Sequence, residues 1–314
     1  MKIGIIGNGL VGSTSAYSIV MKRAASEIIM IDANEERSVS EAADIQHAIP
    51  FLDATDIYSG KYSDLKGSKA IIIAAGANQK PGESRPMLLE RNAVILQKII
   101  AGVLEYAPGA ILLIATNPVD IITHLCSGIA AGFGVPSSRV IGSGTTLDTA
   151  RFRALLGRHL GVDPQHVHGY VIGEHGDSEV LSWSNVDIGG IPLKDFVKFR
   201  GVEFNEKVMA EIDGNVRNAA YKIIAGKGST YYGIGAAMAR LVDIINNDNR
   251  AILTICTPVA EIEGIKNVTL SLPHLIGGDG DLGALPLRLD ANERGLLKKS
   301  AQLIRDRINE YEKK

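Results

Sequence analysis

Residues 2–12 read Lys2-Ile3-Gly4-Ile5-Ile6-Gly7-Asn8-Gly9-Leu10-Val11-Gly12, and this stretch decides the fold. Ile3 to Ile6 is a short apolar run that predicts a buried strand, and Ser13 to Met21 has helical spacing. Three glycines stand between them in the order Gly-x-Gly-x-x-Gly. Gly7 makes the tight turn, Gly9 lets a pyrophosphate approach the backbone, and Gly12 lets the helix pack on the strand. Leu10 and Val11 complete this turn, which leads into a helix start whose N–H groups and positive dipole end favour phosphates. A second apolar run, Ile28 to Ile31, ends in Asp32, 20 residues after Gly12. That acid accepts from adenosine ribose hydroxyls and opposes a 2′-phosphate, so the expected cofactor is NAD rather than NADP.

The alternation continues outward. Helices are expected over Glu35 to Ala48, Met87 to Tyr106 and Ile121 to Gly132, with strands over Ile57 to Gly60, Ala70 to Ala75, Ala110 to Ala115 and Val140-Ile141. The fold class is therefore α/β: an N-terminal Rossmann-type, doubly wound parallel sheet over residues 1–142. Ligands bind such sheets at the carboxyl ends of the strands, which brings Gly7 to Gly12, Asp32, Gly76 and Asn117 around one crevice. Residues 143–314 read as a mixed α+β substrate domain. Val180 to Ile191 suggests strands and a turn, and long helices are expected over Val202 to Ile224 and Gly235 to Ile245. Ala251 to Thr257 and Val268 to Pro273 read as strands joined near Gly264, and Asp290 to Glu293 fits a capping pattern before the final helix.

With 314 residues, 46% hydrophobic and 22% charged, the chain has the composition of a soluble globular protein with two domains or lobes. A net charge of -2 gives no reason to expect nucleic acid or an anionic membrane as partner. No apolar run reaches the roughly 18 residues of a membrane span. Residues 2–7 lead straight into the glycine turn rather than forming a signal peptide. Cys126 and Cys256 stand apart inside apolar runs, which fits buried thiols and a cytoplasmic location. No Cys/His cluster has metal-ligand spacing.

Three further stretches carry chemistry. Gly173-Glu174-His175-Gly176-Asp177 sets a histidine between glycines and carboxylates, and histidine titrates nearest physiological pH. Thr145 to Arg153 places Asp148 and Arg151 on one helical face. They form either an ordinary surface ion pair or a divided set, with Asp148 orienting a catalytic histidine and Arg151 forking onto a substrate carboxylate. The polar loop Gly76 to Arg85 runs off a strand's carboxyl end. It reads as a solvated connector or as a lid carrying Gln79 and Arg85 into the site.

Assembled, these parts resemble the lactate and malate dehydrogenase family over essentially the whole chain. The match rests on Gly7 to Gly12, Asp32, Gln79 to Arg85, Ala115 to Asp120, Leu147 to Arg153 and Gly173 to Asp177, in the family's order. The branch it looks most like is the bacterial L-lactate dehydrogenases. The resemblance implies NAD-linked hydride transfer on a small 2-keto or 2-hydroxy acid. His175 is then the proton donor and acceptor, Asp148 its partner, and Arg85 the loop arginine that polarises the ketone. Arg151 is the carboxylate anchor, and Asn117 lies near nicotinamide and substrate. Thr230 and Ile234 line the substrate and nicotinamide pocket.

Position 79 bears on the substrate. Malate enzymes resemble this loop but carry arginine there, to meet a second carboxylate. The neutral Gln79 favours pyruvate over oxaloacetate. Malate and longer 2-hydroxyacid activities remain as alternatives, and so does a non-catalytic NAD-binding protein. Arg153 and His168 match positions that bind fructose 1,6-bisphosphate at a subunit interface in allosteric bacterial relatives; otherwise they are a solvated Arg and a strand His. The family implies a homodimer or homotetramer. The chain begins at its first strand, without the arm that braces vertebrate tetramers.

Overall fold

The computed structural model describes residues 1–77 and 85–312; within the second stretch the side chains of residues 85, 86 and 88 are excluded. Strand β1 (Lys2–Ile6) is almost wholly buried, as a central parallel strand must be. It is followed by α1 (Leu10–Lys22), β2 (Glu27–Ile31), α2 (Glu35–Gln46), β3 (Asp56–Ser59) and β4 (Ala70–Ile73). Then come α3 (Arg85–Tyr106), β5 (Ile111–Ile114), α4 (Val119–Ala131) and β6 (Val140–Gly142). All four residues of β4 and of β5 are buried, which accounts for their unbroken apolar runs.

The second half contains α5 (Thr146–Leu160), β7 (Val167–His168), β8 (Val171–Ile172), β9 (Val180–Leu181), β10 (Asp187–Ile188) and β11 (Ile191–Pro192). Five helices and three strands complete it: α6 (Leu193–Arg200), α7 (Glu206–Arg217), α8 (Ala219–Lys227), α9 (Tyr232–Asn247), β12 (Ala251–Ile262), β13 (Ile265–Gly277), β14 (Gly280–Ala284) and α10 (Ala291–Glu312).

One nine-stranded sheet runs β14-β13-β12-β6-β5-β4-β1-β2-β3. The six strands from β6 to β3 pair in parallel, with β1 at the point where strand order reverses. In such sheets the reversal point opens a crevice at the carboxyl ends. The antiparallel strands β12 to β14 extend this sheet through the pair Cys256↔Gly142, so the two halves share it. Helix α9 also packs on α1, so closely that a Cβ on Gly235 would stand 2.7 Å from Thr14 Cγ2.

Two expected helices differ in their bounds. The span 202–224 is not one helix. Val202 and Phe204 pack into the core under α5, and Asn205 caps α7 by accepting from Val208 N–H. Asn218 then closes α7 with its N–H and its Nδ2 both on Gly214 O, which separates it from α8. Helix α2 stops at Gln46, and a tight turn with Pro50 in its first positions follows. The final helix begins as expected: Asp290 N–H donates to Glu293 Oε2, and Glu293 N–H to Asp290 Oδ1. Among the described residues no helix is long and apolar enough to cross a membrane.

Candidate active site

The glycine turn is held from both sides. Gly7 has φ +94°, and a Cβ there would stand 2.5 Å from Ala75 N at the end of β4. A Cβ on Gly12 would stand 1.8 Å from the Gly7 carbonyl oxygen, so helix and turn meet with no room for a side chain. Gly9 differs: among the described residues nothing lies within 4 Å of its Cβ position, so the backbone there is open toward them. Leu10 is exposed beside it, and Val11 is half-buried. Helix α1 starts at Gly9 with no side-chain cap and no acid in its first turn, which leaves its N-terminal dipole for an anion. Asp32 closes the turn: Oδ2 accepts from Asn8 N–H at 2.6 Å and Oδ1 from Asn34 N–H at 2.9 Å. A carboxylate retains acceptor capacity beyond two bonds. The side-chain oxygen and nitrogen of Asn8 are buried with no hydrogen-bond partner among the described residues. An open backbone, an uncapped helix start, orphaned polar atoms and an acid at the next strand's end together fit a dinucleotide.

Past β5, the Asn117-Pro118 peptide is cis, and Asn117 is exposed at that strand's carboxyl end. Ile234, on α9, packs half-buried against the core cluster that also takes in Ala74 and Ala115. Thr230 is half-buried just before α9. Asn117 and Ile234 therefore lie where β4 and β5 end.

The side chains around His175 come from distant elements. Val171 N–H donates to Thr149 Oγ1 at 2.9 Å, fastening β8 to the first turns of α5. This brings Asp148, on α5, to the loop that follows β8. Asp148 is 2% exposed and serves two partners. His175 Nδ1 donates to its Oδ2 at 2.6 Å, and Arg151 Nη1 donates to its Oδ1 at 2.7 Å. The pair on the helical face is thus not a surface ion pair: one buried carboxylate holds both the histidine ring and the guanidinium.

The loop is anchored further. Glu174 N–H donates to Ser300 Oγ at 2.8 Å, and the Glu174 carboxylate pairs with Arg307. His175 N–H donates to Asp120 Oδ2 at 2.8 Å. Burial pulls the His175 imidazole down. The hydrogen bond and charge of Asp148, aided by Asp120 and Glu179, override this and lift its pKa to about 9. Its side chain is 27% exposed, so the ring keeps a face toward the crevice. With Nδ1 committed to Asp148, Nε2 is the ring nitrogen left for another partner.

Asp120 and Glu179 were not singled out by sequence reasoning. Asp120 carries a weak signal, an acid in the first turn of a helix that leaves a strand's carboxyl end. Glu179 carries none: it is buried, its Oε1 has no partner among the described residues, and burial pushes its carboxyl up. Gln79 lies with residues 78–84 outside the described residues, and so does the side chain of Arg85, whose backbone opens α3. Of the pair Arg153 and His168, Arg153 donates from Nε to Gly169 O at 3.0 Å and lies 5.4 Å over the Tyr170 ring. His168 is exposed on β7, opposite Asp187.

Both halves of the chain are similar to known proteins. Residues 1–142 match the lactate/malate dehydrogenase NAD-binding domain, and residues 145–314 match the lactate/malate dehydrogenase alpha/beta C-terminal domain. An L-lactate dehydrogenase of Geotalea daltonii is 54% identical over 98% of both chains. One of Thermus aquaticus is 47% identical over 97% of both. The crystal structure of a lactate dehydrogenase from a deep-sea metagenome superposes with a TM-score of 0.95 at 35% identity, covering 99% of this chain and 98% of that one. A minor L-lactate dehydrogenase from Enterococcus mundtii gives 0.92, also at 35%, covering 98% and 97%. With both halves matched in order and the histidine, aspartate and arginine of the site in contact, the chain belongs to the lactate/malate dehydrogenase family.

Proposed function

We propose that the chain interconverts pyruvate and L-lactate with NAD as its cofactor, through residues 1–142 as the dinucleotide-binding part and 143–314 as the substrate part. The observation that carries the residue roles is the Asp148 carboxylate holding both His175 Nδ1 and Arg151 Nη1. Bound NADH supplies the hydride for the ketone carbon. His175 gives its Nε2 proton to the ketone oxygen as charge builds there, and takes it back from the hydroxyl in the reverse direction. Asp148 keeps the ring in one orientation and supports the imidazolium. Arg151, placed beside the ring by the same carboxylate, binds the substrate carboxylate. Arg85 polarises the ketone oxygen, and Asn117 and Thr230 line the substrate. Gly7, Gly9, Leu10, Val11 and Gly12 hold the pyrophosphate, Asp32 the ribose, and Ile234 the nicotinamide.

Gln79 selects pyruvate, because a neutral side chain leaves the second carboxylate of oxaloacetate without a cation. A buried unpaired charge costs several kcal/mol, on the order of a thousandfold in rate. Steady-state NADH oxidation with both ketoacids tests this. The wild type is expected to prefer pyruvate, and Gln79→Arg to prefer oxaloacetate. A wild type that prefers oxaloacetate overturns it.

The assembly is a homodimer or homotetramer. Helix α8 buries none of its residues and exposes Tyr221, Ile223 and Ile224, which supports a partner of the same chain. A monomer by light scattering would contradict this. Arg153, tied to the residue after His168, supports a sugar-bisphosphate effector site shared with a symmetry mate. A pyruvate saturation curve unmoved by fructose 1,6-bisphosphate would remove that reading. The buried, reduced Cys126 and Cys256 support a cytoplasmic location.

A further inference from the structure

Asp120 stands in the first turn of α4, is 4% exposed and has no part in the reaction described above. Its Oδ2 accepts from the main-chain N–H of His175, 55 residues away, at 2.8 Å. Its Oδ1 is buried and makes no hydrogen bond to an N–H or O–H among the described residues. A buried carboxylate in that state is costly and calls for a compensating role.

The other anchors of the catalytic loop come from the second half of the chain. Gly173 bridges to Ser271 on β13, while Glu174 is held by Ser300 and Arg307 on α10. Asp120 instead belongs to the dinucleotide-binding half. It follows Asn117 by three residues, at the carboxyl end of β5. The charged and titratable groups that face it are His175 and Glu174 on the loop and Cys256 on β12.

We propose that Asp120 is a positioning residue for the proton transfer: it pins the main chain of His175 to the dinucleotide-binding half and sets a second negative charge behind the imidazolium. The inference rests on His175 being the proton donor. Asp148 then fixes the ring and Asp120 fixes the backbone that carries it, so ring and nicotinamide side stay in register.

This predicts a titration that His175 does not own. Burial pushes the Asp120 carboxyl up to about 6, against the opposing effects of the His175 N–H, the His175 charge and the Cys256 thiol. Below that pH Asp120 is neutral, holds the N–H less strongly and no longer faces the imidazolium as an anion. Pyruvate reduction should therefore lose rate as pH falls through about 6.

The test is the pH profile of kcat and KM for pyruvate in the wild type, Asp120→Asn, Asp120→Ala and Cys256→Ala, with His175→Asn as reference. Asp120→Asn keeps an acceptor oxygen and cannot titrate. Its acid limb should vanish, its alkaline limb should move below the wild-type position, and kcat should fall severalfold. Asp120→Ala also loses the acceptor, and a further loss of about ten- to hundredfold in kcat is expected, with NADH affinity kept. Cys256→Ala removes a group that lowers the Asp120 pKa, so the acid limb should move up. Should the alanine variant not fold, Asp120→Asn and Cys256→Ala decide the matter. Profiles of these two superposable on the wild type would overturn the proposal. Full activity in His175→Asn would instead overturn the assignment of the proton donor on which it rests.

Discussion

The glycine turn and the His175 loop are built in opposite ways. The turn is local: three glycines within six residues, a strand before, a helix after, and one acid at the end of the next strand. It works through backbone, either by leaving space, as at Gly9, or by filling it completely, as at Gly12. The His175 loop works through side chains that arrive from afar. Asp148 lies 27 residues away, Asp120 lies 55, and Ser300 and Arg307 lie beyond 120. Binding a common cofactor needs a generic cradle, whereas moving one proton needs one ring held in one place.

The contrast can be broken at its chemical end first. His175→Asn removes the proposed proton donor but leaves the cradle untouched. We expect kcat to fall about 10²- to 10⁴-fold, with NADH affinity within about twofold of the wild type. Steady-state rates and NADH fluorescence titration measure the two quantities separately. An equal loss in both would mean that loop and cradle are one unit.

The cradle itself divides next. Gly9→Ala adds a methyl group to open space, so thermal stability should hold while NADH binding weakens by about tenfold where the pyrophosphate must approach. Gly12→Ala drives a methyl group into the Gly7 carbonyl, so stability should fall by about 1–3 kcal/mol. Thermal melts with and without NADH distinguish the two. Equal melting points for these variants would contradict the packing described.

The smallest expected effect is on stability against pH. His175 has a folded pKa raised above its unfolded value, so its pairing with Asp148 stabilises fully below about 6.5 and is lost as pH rises through about 9. Urea midpoints for the wild type should fall between pH 7 and pH 10 by the equivalent of about 1–2 kcal/mol more than those of Asp148→Asn. Identical pH slopes would place the interaction in the unfolded chain as well.

The same contrast explains what was legible in the sequence. The parallel sheet and its crevice could be read because each strand, turn and helix is a local pattern. The family motifs also brought His175, Asp148 and Arg151 forward. What they did not disclose is that one buried Asp148 binds both cations, because spacing along α5 cannot tell a surface pair from a core one. Asp120 and Glu179 went unassigned because their function lies in burial, which a single acid in a sequence does not signal. The strands β12 and β13 were legible as strands, but their place in the main sheet was not. That placement depends on Cys256 meeting Gly142, a contact across 114 residues with no local mark. The span 202–224 was misread because Asn205 and Asn218 act as caps there, and their effect depends on which carbonyls and N–H groups they reach.

The central claim is that Asp148 holds His175 protonated for transfer to the ketone. The most direct measurement is the pH dependence of kcat/KM for pyruvate reduction in the wild type and in Asp148→Asn. The wild-type rate should fall as pH rises through about 9, since the donor must carry its proton. In the variant that fall should begin at lower pH, because burial still pulls the imidazole down and the carboxylate no longer lifts it. A limb at the same pH in both proteins would contradict the account.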